Sequence, residues 1–269
     1  MELNSRKIAY VADLAQDIDD MIAIEYLNAF GLLGCVIYDA NDIDREYSQR
    51  LGLIEELHIP LIPVIPADAE VIFCGGSLAP IAKYLEMWPT DWTKSLGMSS
   101  IIKALVINGG FVGNNIITNG LPKFKDKEYA RTYNFNMDVD ATKTVLDESN
   151  LARIEEIILV GKAVCHSKRN TINGLWNSEL FLNLQKKYKF DSSKLLHDVL
   201  MCHEGLALLK LIDDRPYCNF MDLCPKTESN ILNGKDTKWG SSFIGESPNT
   251  FRKCFTAIGF GSEQLKRLS

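Results

Sequence analysis

Four carboxylates lie close together near the start of the chain, where their spacing could bind a cation and activate water. They are Asp13, Asp17, Asp19 and Asp20, four acids within eight residues. Neighbouring carboxylates repel one another, which raises their pKa values or requires a cation between them. Alternatively, Asp17 could cap a helix whose dipole the next two acids complement. Because that alternative leaves Asp13 unexplained, the pattern favours a cation site.

The segments on either side of these acids predict how they are positioned. Residues 8–12 are an apolar run typical of a buried parallel strand, and residues 21–27 are apolar enough for a mostly buried helix. In an open α/β sheet, the chain that leaves the carboxyl end of a strand lines the ligand crevice. We therefore expect the acids to face such a crevice.

Strand and helix patterns alternate from residue 8 to about residue 165. Further strand-like runs span residues 32–38, 60–66, 70–73, 104–107 and 157–160. This alternation predicts an α/β fold in which one domain, residues 1–269, forms an open, mainly parallel sheet with helices on both faces. The prolines of the run at 60–66 predict a short or edge strand.

The last third of the chain has a less regular pattern. Residues 173–211 are predicted to be helical, residues 216–245 irregular, and residues 250–260 a late strand that leads into a terminal helix. A short helix is expected at 140–146, with Asp138 as its cap.

Composition excludes several classes of protein. No run approaches the roughly 18 apolar residues of a membrane span, so no membrane association is expected. A net charge of −6 argues against a nucleic-acid partner. The seven cysteines form no CxxC pair and no signal core is visible at the start, which predicts reduced thiols in the cytoplasm. The sequence leaves a homo-oligomer open.

Two further groups of polar residues could contact a ligand. If residues 132–138 are extended, Thr132, Asn134 and Asn136 share one face and suit a hydroxyl-rich ligand, although a polar surface strand fits equally well. His197 and Asp198 lie in an apolar helical surround, where a buried acid needs a cation or a hydrogen-bond network. Taken alone, the histidine is more typical of a satisfied core residue.

Glycine pairs follow two of the predicted strands, at Cys74-Gly-Gly and Asn108-Gly-Gly. Glycine there lets a ligand approach the backbone, and tight strand-to-helix turns explain the pairs equally well. The chain contains neither a GxGxxG fingerprint with its ribose-binding acid nor a GxxxxGK[ST] loop, and it has no GxSxG nucleophile elbow.

Together, these motifs resemble the nucleoside hydrolase family, the inosine–uridine-preferring type of N-ribohydrolase. Asp13-Leu-Ala-Gln-Asp17-Ile-Asp19-Asp20-Met-Ile-Ala-Ile follows the longer form of the family's first motif, Asp-Met-Gly-Asn-Asp-Ile-Asp-Asp-Ala-Leu-Ala-Leu. His197-Asp198 stands where the family has His-Asp-Pro. Between these ends, the Cys74-Gly-Gly turn, the loop ending in Asn114 and the Thr132-Tyr-Asn134 segment follow in the family's order.

The resemblance implies a metal centre and a catalytic base. Asp13 would bind the metal and act as general base to the attacking water. Asp20 and Asp198 would complete the carboxylate ligands, beside the backbone carbonyl of Cys74. His197 would lie near the leaving base as a second catalytic residue. Because all the ligand atoms are oxygens, Ca²⁺ is the expected cofactor.

The resemblance also implies a sugar site. Asp19, Asn114 and Asn134 would hold the ribose hydroxyls. Asn41, with Asp39 as the competing residue, matches the family's asparagine after the second strand. Thr132 replaces the glutamate that usually grips the ribose. Only residues 67–70 separate the third and fourth strand patterns, where the family usually has a long insertion. A more open pocket for a bulky or modified base is therefore expected.

The expected activity is hydrolysis of the N-glycosidic bond of a ribonucleoside to free base and ribose, with a small-molecule nucleoside as the partner. Such a reaction develops oxocarbenium character at the sugar and needs an activated water, which a hard cation supplies. Two alternatives stay open. One is a non-catalytic protein that binds a ribosyl ligand, and the other is a Mg²⁺-dependent phosphohydrolase with Asp13 as nucleophile.

Overall fold

The computed structural model describes residues 8–14, 18–38, 45–88, 102–114, 116–117, 121–227, 237–243 and 254–261. The strands are β1 (Ile8–Val11), β2 (Leu33–Ile37), β3 (Leu61–Ile62), β4 (Val71–Cys74), β5 (Ile102–Ile107), β6 (Ile154–Leu159), β7 (Cys218–Thr227), β8 (Trp239–Phe243) and β9 (Cys254–Phe260). The helices are α1 (Asp19–Ala29), α2 (Arg45–Glu56), α3 (Ala79–Met87), α4 (Tyr133–Met137), α5 (Val139–Val145), α6 (Glu148–Leu151), α7 (Lys162–Cys165), α8 (Glu179–Tyr188) and α9 (His197–Leu208), with a 3₁₀ turn at Pro122–Phe124.

The strands form one sheet in the order β3-β2-β1-β4-β5-β6-β9-β7-β8. Strands β1 to β6 and β9 pair in parallel, whereas β7 is antiparallel to both β9 and β8. The predicted α/β fold with a mainly parallel sheet is therefore confirmed. Since β1 pairs with both β2 and β4, the strand order reverses at the β1–β4 boundary, and ligands in such sheets bind at the carboxyl ends of the strands that flank this point.

Apolar cores cover both faces of the sheet. Along the central strands, Tyr10, Phe73 and Val106 point to the face that carries α1 and α9. Their neighbours Ala9 and Ile72 point to the opposite face, which carries α3 and α5. Because side chains alternate between two buried faces, the central strands read as continuous apolar runs in the sequence.

Helices α1 and α9 pack side by side on the same face. The Tyr26 hydroxyl is 2.9 Å from Nδ1 of His203, which joins the two helices. Helix α9 also lies close to the sheet, because a Cβ atom at Gly205 would come within 2.6 Å of the Phe73 ring and 2.8 Å of Val106. This packing brings the first turns of the two helices to the same edge of the sheet. None of the helices in the described ranges is long and apolar enough to cross a membrane.

The extended conformation considered for residues 132–138 is not found, because only Thr132 and Asp138 are extended and the residues between them are helical. Residues 133–137 form α4, so Asn134 and Asn136 do not share one face of a strand with Thr132. Asp138 ends α4 and caps α5 by accepting a hydrogen bond from the Ala141 amide at 2.8 Å, which confirms its predicted role.

The C-terminal third also differs from its prediction. Residues 216–245, expected to be irregular, contain β7 and β8, and the helical pattern over 173–211 divides into α8 and α9. Helix α8 ends where Lys189 adopts a left-handed conformation with φ of 54°. The late strand is confirmed as β9, while the predicted terminal helix lies outside the described residues. The short strand β3 is at the sheet edge, as predicted.

Candidate functional site

A cavity of about 300 Å³ lies at the carboxyl ends of β1, β4, β5 and β6, where the strand order reverses. The first turns of α1 and α9 complete its wall. The predicted site residues that line it are Asp13, Asp19, Asp20, Thr132, Asn134, His197 and Asp198. The structure thus brings together residues from three separated segments of the chain.

Asp20 is the central acid of this cavity and is buried. Its Oδ1 accepts hydrogen bonds from the Tyr10 hydroxyl at 2.9 Å and from the Asp13 amide at 3.1 Å. Burial, followed by the charge of Asp13, raises the pKa of Asp20 well above its usual value, although these two hydrogen bonds oppose the shift. Burial and the charges of Asp198 and Asp20 likewise raise the pKa of Tyr10, so its hydroxyl stays protonated and donates.

Asp19 connects the first acidic motif to the last. Its Oδ2 accepts hydrogen bonds from the backbone amides of His197 at 2.7 Å and Asp198 at 3.1 Å. These are the first amides of α9, which have no partner within the helix, and a carboxylate there also complements the helix dipole. Asp19 therefore caps α9 and fixes Asp198 beside Asp20. Its expected contact with a ribose stays a prediction.

Gly75, directly after β4, makes room for two of the acids. A Cβ atom at this position would overlap the Tyr10 hydroxyl and lie 2.7 Å from Oδ1 of Asp20 and 3.0 Å from Oδ1 of Asp198. Both carboxylates therefore converge on the space that the glycine leaves open. Asp198 is oriented from the other side by Asn108, whose Nδ2 donates to Oδ1 at 2.6 Å.

Asn134 and Thr132 form another part of the cavity wall. Both amide hydrogens of Asn134 are used, since Nδ2 donates to the Gly75 carbonyl at 2.7 Å and to the Asn108 carbonyl at 2.8 Å. Its Oδ1 is therefore the atom that can accept from a ligand hydroxyl. The Thr132 side chain is buried at the cavity, and its Oγ1 has no hydrogen-bond partner within the described part of the chain.

Two predicted site residues, Cys74 and Asn114, are not among the residues that line the cavity, and a third lies outside the described residues. The Cys74 carbonyl accepts a backbone hydrogen bond from Asn108 at 2.9 Å, and its side chain is completely buried. Asn114 lies in the loop after β5, where its amide donates to the Lys127 carbonyl at 2.9 Å. Asn41 lies outside the described residues.

Several cavity residues were not predicted from the sequence. Asn108 directly follows β5, and Lys162 follows the turn after β6. The rule that polar residues at the carboxyl ends of strands line the crevice, which identified Asp13, could have found both. His166 and Cys165 lie at the end of the short helix α7, and the sequence carries no signal for their position. Tyr10 reads as one more apolar residue of β1, and only its contact with Asp20 reveals its role.

Cys165 is the thiol that lines the cavity, but it is a poor nucleophile. It donates to the Val160 carbonyl at 3.4 Å. Burial, followed by the charge of Asp198, raises the pKa of Cys165 well above its usual value. Since the thiolate is the reactive species, this site does not support cysteine catalysis.

The implied Ca²⁺ can be tested against these donors. Carboxylate oxygens are ligands of hard cations, and the two buried acids Asp20 and Asp198 converge beside Gly75. Within the described ranges, however, no three His, Cys, Asp or Glu side chains lie close enough together to hold a metal ion. The carbonyl of Cys74 retains one lone pair beside its hydrogen bond to Asn108. The donor types suit Ca²⁺, but the described residues do not form a cluster of three ligands, and bound Ca²⁺ therefore stays a proposal.

Comparison with known proteins identifies a distant relative of unknown activity. The sequence matches no known family profile. It is 35% identical over 107 residues to an uncharacterized protein of Aquifex aeolicus (strain VF5), a match that covers 36% of this chain. The chain spans only 36% of that relative's length. The fold and the geometry of the cavity are therefore the basis for assigning a function.

Proposed function

We propose that this protein hydrolyses the N-glycosidic bond of a ribonucleoside, releasing the base and ribose. The observation that carries this proposal is the meeting of Asp13 and Asp20, from the first motif, with Asp198, 178 residues after Asp20, in one cavity. Acids so far apart in sequence are held together at a strand-order reversal, the usual ligand site of such sheets. Asn134 and Asp19 in the same cavity provide acceptors for sugar hydroxyls.

In this proposal Asp13 is the general base. It is half-buried at the end of β1, beside the buried Asp20. Its carboxylate takes a proton from the attacking water, while the oxocarbenium-like sugar is stabilised by the surrounding acids. Bound Ca²⁺ would be held by the two converging carboxylates, Asp20 and Asp198, with Asp13 and the Cys74 carbonyl as the further ligands that the resemblance implies, and it would lower the pKa of water.

His197 is proposed to face the leaving base. It lines the cavity at the first position of α9, and its ring lies 5.1 Å from the ring of His166. These two rings offer an aromatic wall for a base. The short connection from β3 to β4, residues 63–70, is consistent with a bulky or modified base. We place the enzyme in the cytoplasm, in keeping with its seven free cysteines.

Two other functions have support from particular residues. Thr132, in place of a sugar-gripping carboxylate, favours a protein that binds a ribosyl ligand without turnover. Lys162 in the cavity favours a Mg²⁺-dependent phosphohydrolase, since such a site pairs a nucleophilic aspartate with a lysine near the phosphate. The products separate all three functions: free base and reducing sugar, inorganic phosphate, or neither.

The test is turnover of a nucleoside panel with added Ca²⁺, followed by chromatography of free base. Asp13→Asn should reduce turnover by at least about 10³-fold, because the general base is lost while the backbone amide still bonds to Asp20. Asp140→Asn, a change at an exposed aspartate on α5, should leave turnover unchanged. Full activity of Asp13→Asn would remove this residue as the base, and no base release from any nucleoside or nucleoside monophosphate would contradict the proposed function.

A further inference from the structure

Three lysines gather beside the cavity, around the ring of Phe124. Their Nζ atoms lie 5.4 Å (Lys123), 5.8 Å (Lys127) and 5.9 Å (Lys162) from the ring centroid. Lys162 also lines the cavity itself. A single aromatic face offsets only part of the repulsion among three ammonium groups. The cluster thus concentrates positive charge at one side of an otherwise acidic site.

His166 lies between two of these lysines and cannot accept a hydrogen bond from both of them. Its Nδ1 is 3.2 Å from Nζ of Lys123, and its Nε2 is 3.3 Å from Nζ of Lys162. A neutral imidazole has one acceptor nitrogen and one N–H, so it can accept a hydrogen bond from only one of these two donors. Burial and the charge of Lys162 lower the pKa of His166 to about 3, which keeps the ring neutral near pH 7. One ammonium group therefore faces an N–H.

Among the described residues, no carboxylate pairs with these three lysines to neutralise their charge. Within the part of the chain that the structure describes, none of the three ammonium groups forms an ion pair, whereas other lysines do, such as Lys103 with Glu70 at 2.6 Å. Asp126 and Glu128 alternate with the lysines in sequence but do not pair with them. An anion that accepts from several of these donors would remove the repulsion.

We propose that Lys123, Lys127 and Lys162 form a subsite for a phosphate group, and that the natural substrate is a phosphorylated ribosyl compound such as a nucleoside monophosphate. This inference rests on the proposed function for the sugar end of the ligand. A phosphate carries nearly two charges at pH 7 and three acceptor oxygens, which matches three separate ammonium donors better than a single carboxylate does. The acids and Asn134 would hold the hydroxyls of the same ligand.

The experiment measures binding of ribose 5-phosphate, ribose and orotate to the full chain by calorimetry. The wild-type protein should bind ribose 5-phosphate more tightly than ribose by at least about tenfold, because the phosphate gains charge-assisted hydrogen bonds. In Lys123→Gln and Lys127→Gln this ratio should fall by roughly threefold to tenfold, and Lys123→Arg should restore most of it. Lys125→Gln is the matched control, since Lys125 is exposed on the same segment and lies outside the cluster.

Three results would overturn the phosphate subsite. Equal affinities for ribose and ribose 5-phosphate would do so, and so would an equal loss in the Lys125→Gln control. Orotate binding that matches ribose 5-phosphate would place the anion on the base instead. Selective binding of ribose 5-phosphate without base release from any nucleotide would leave the subsite standing and contradict only the hydrolase proposal.

Discussion

Gly75→Ala tests whether the acidic centre depends on the absence of a side chain at this position. The added methyl would overlap the Tyr10 hydroxyl, approach Asp20 to 2.7 Å, which is closer than a Cβ atom can be accommodated, and lie in tight contact with Asp198 at 3.0 Å. All three neighbours are buried, so the surroundings must shift. We expect the free energy of unfolding to fall by about 1–3 kcal/mol, the usual cost of overpacking a well-packed core.

The measurement is urea unfolding, with Gly52→Ala as the matched control. Gly52 lies within α2, and a Cβ atom there would contact nothing within 4 Å. The same chemical change should therefore stabilise the protein by about 0.5–1 kcal/mol, because alanine favours a helix interior. Opposite signs for the two variants identify steric overlap, rather than loss of a glycine, as the cause.

A double-mutant cycle sharpens this test. Tyr10→Phe removes the hydroxyl that the new methyl would overlap, at the cost of the hydrogen bond to Asp20. Gly75→Ala combined with Tyr10→Phe should therefore be less destabilised than the sum of the single variants, by at least about 0.5 kcal/mol. Additive effects, or a Gly75→Ala protein as stable as Gly52→Ala, would refute the steric reasoning.

Two further predictions concern α9. Asp19→Ala should cost about 1–2 kcal/mol, because the first amides of α9 lose their acceptor, and hydrogen exchange at the His197 and Asp198 amides should become faster than in Asp140→Ala. Unchanged exchange at those two amides would contradict the capping role. Burial raises the pKa of Glu204 from 4.5 to about 8, despite hydrogen bonds from the Tyr217 and Cys218 amides. Between these values the folded protein binds the additional proton, so stability should fall as pH rises from about 4.5 to about 8 and then level off. Relative to Glu204→Gln, the free energy of unfolding of the wild-type protein should fall by a few kcal/mol over that range, since each pKa unit corresponds to about 1.4 kcal/mol. A difference between the two proteins that stays constant with pH would contradict the shift.

The fold was predictable where local pattern and tertiary environment agree. The central strands are buried on both faces, so their apolar runs are visible in the sequence, and the proline-rich run correctly predicted the short edge strand β3. The prediction was wrong where pairing with distant segments decides the structure. Residues 218–227 form β7 because they pair with β8 on one side and β9 on the other, which local propensity does not encode.

The sequence by itself determined that Asp13 follows a buried strand and that Asp19 and Asp20 begin a buried helix, because strand and helix periods are local properties. It also marked Asp198 as an acid in apolar surroundings. Only the tertiary structure decided that these acids share one cavity, since this depends on α9 packing against α1 and on the missing side chain at Gly75. The lysines around Phe124 are likewise a product of folding, because Lys162 reaches the other two from the end of a different strand.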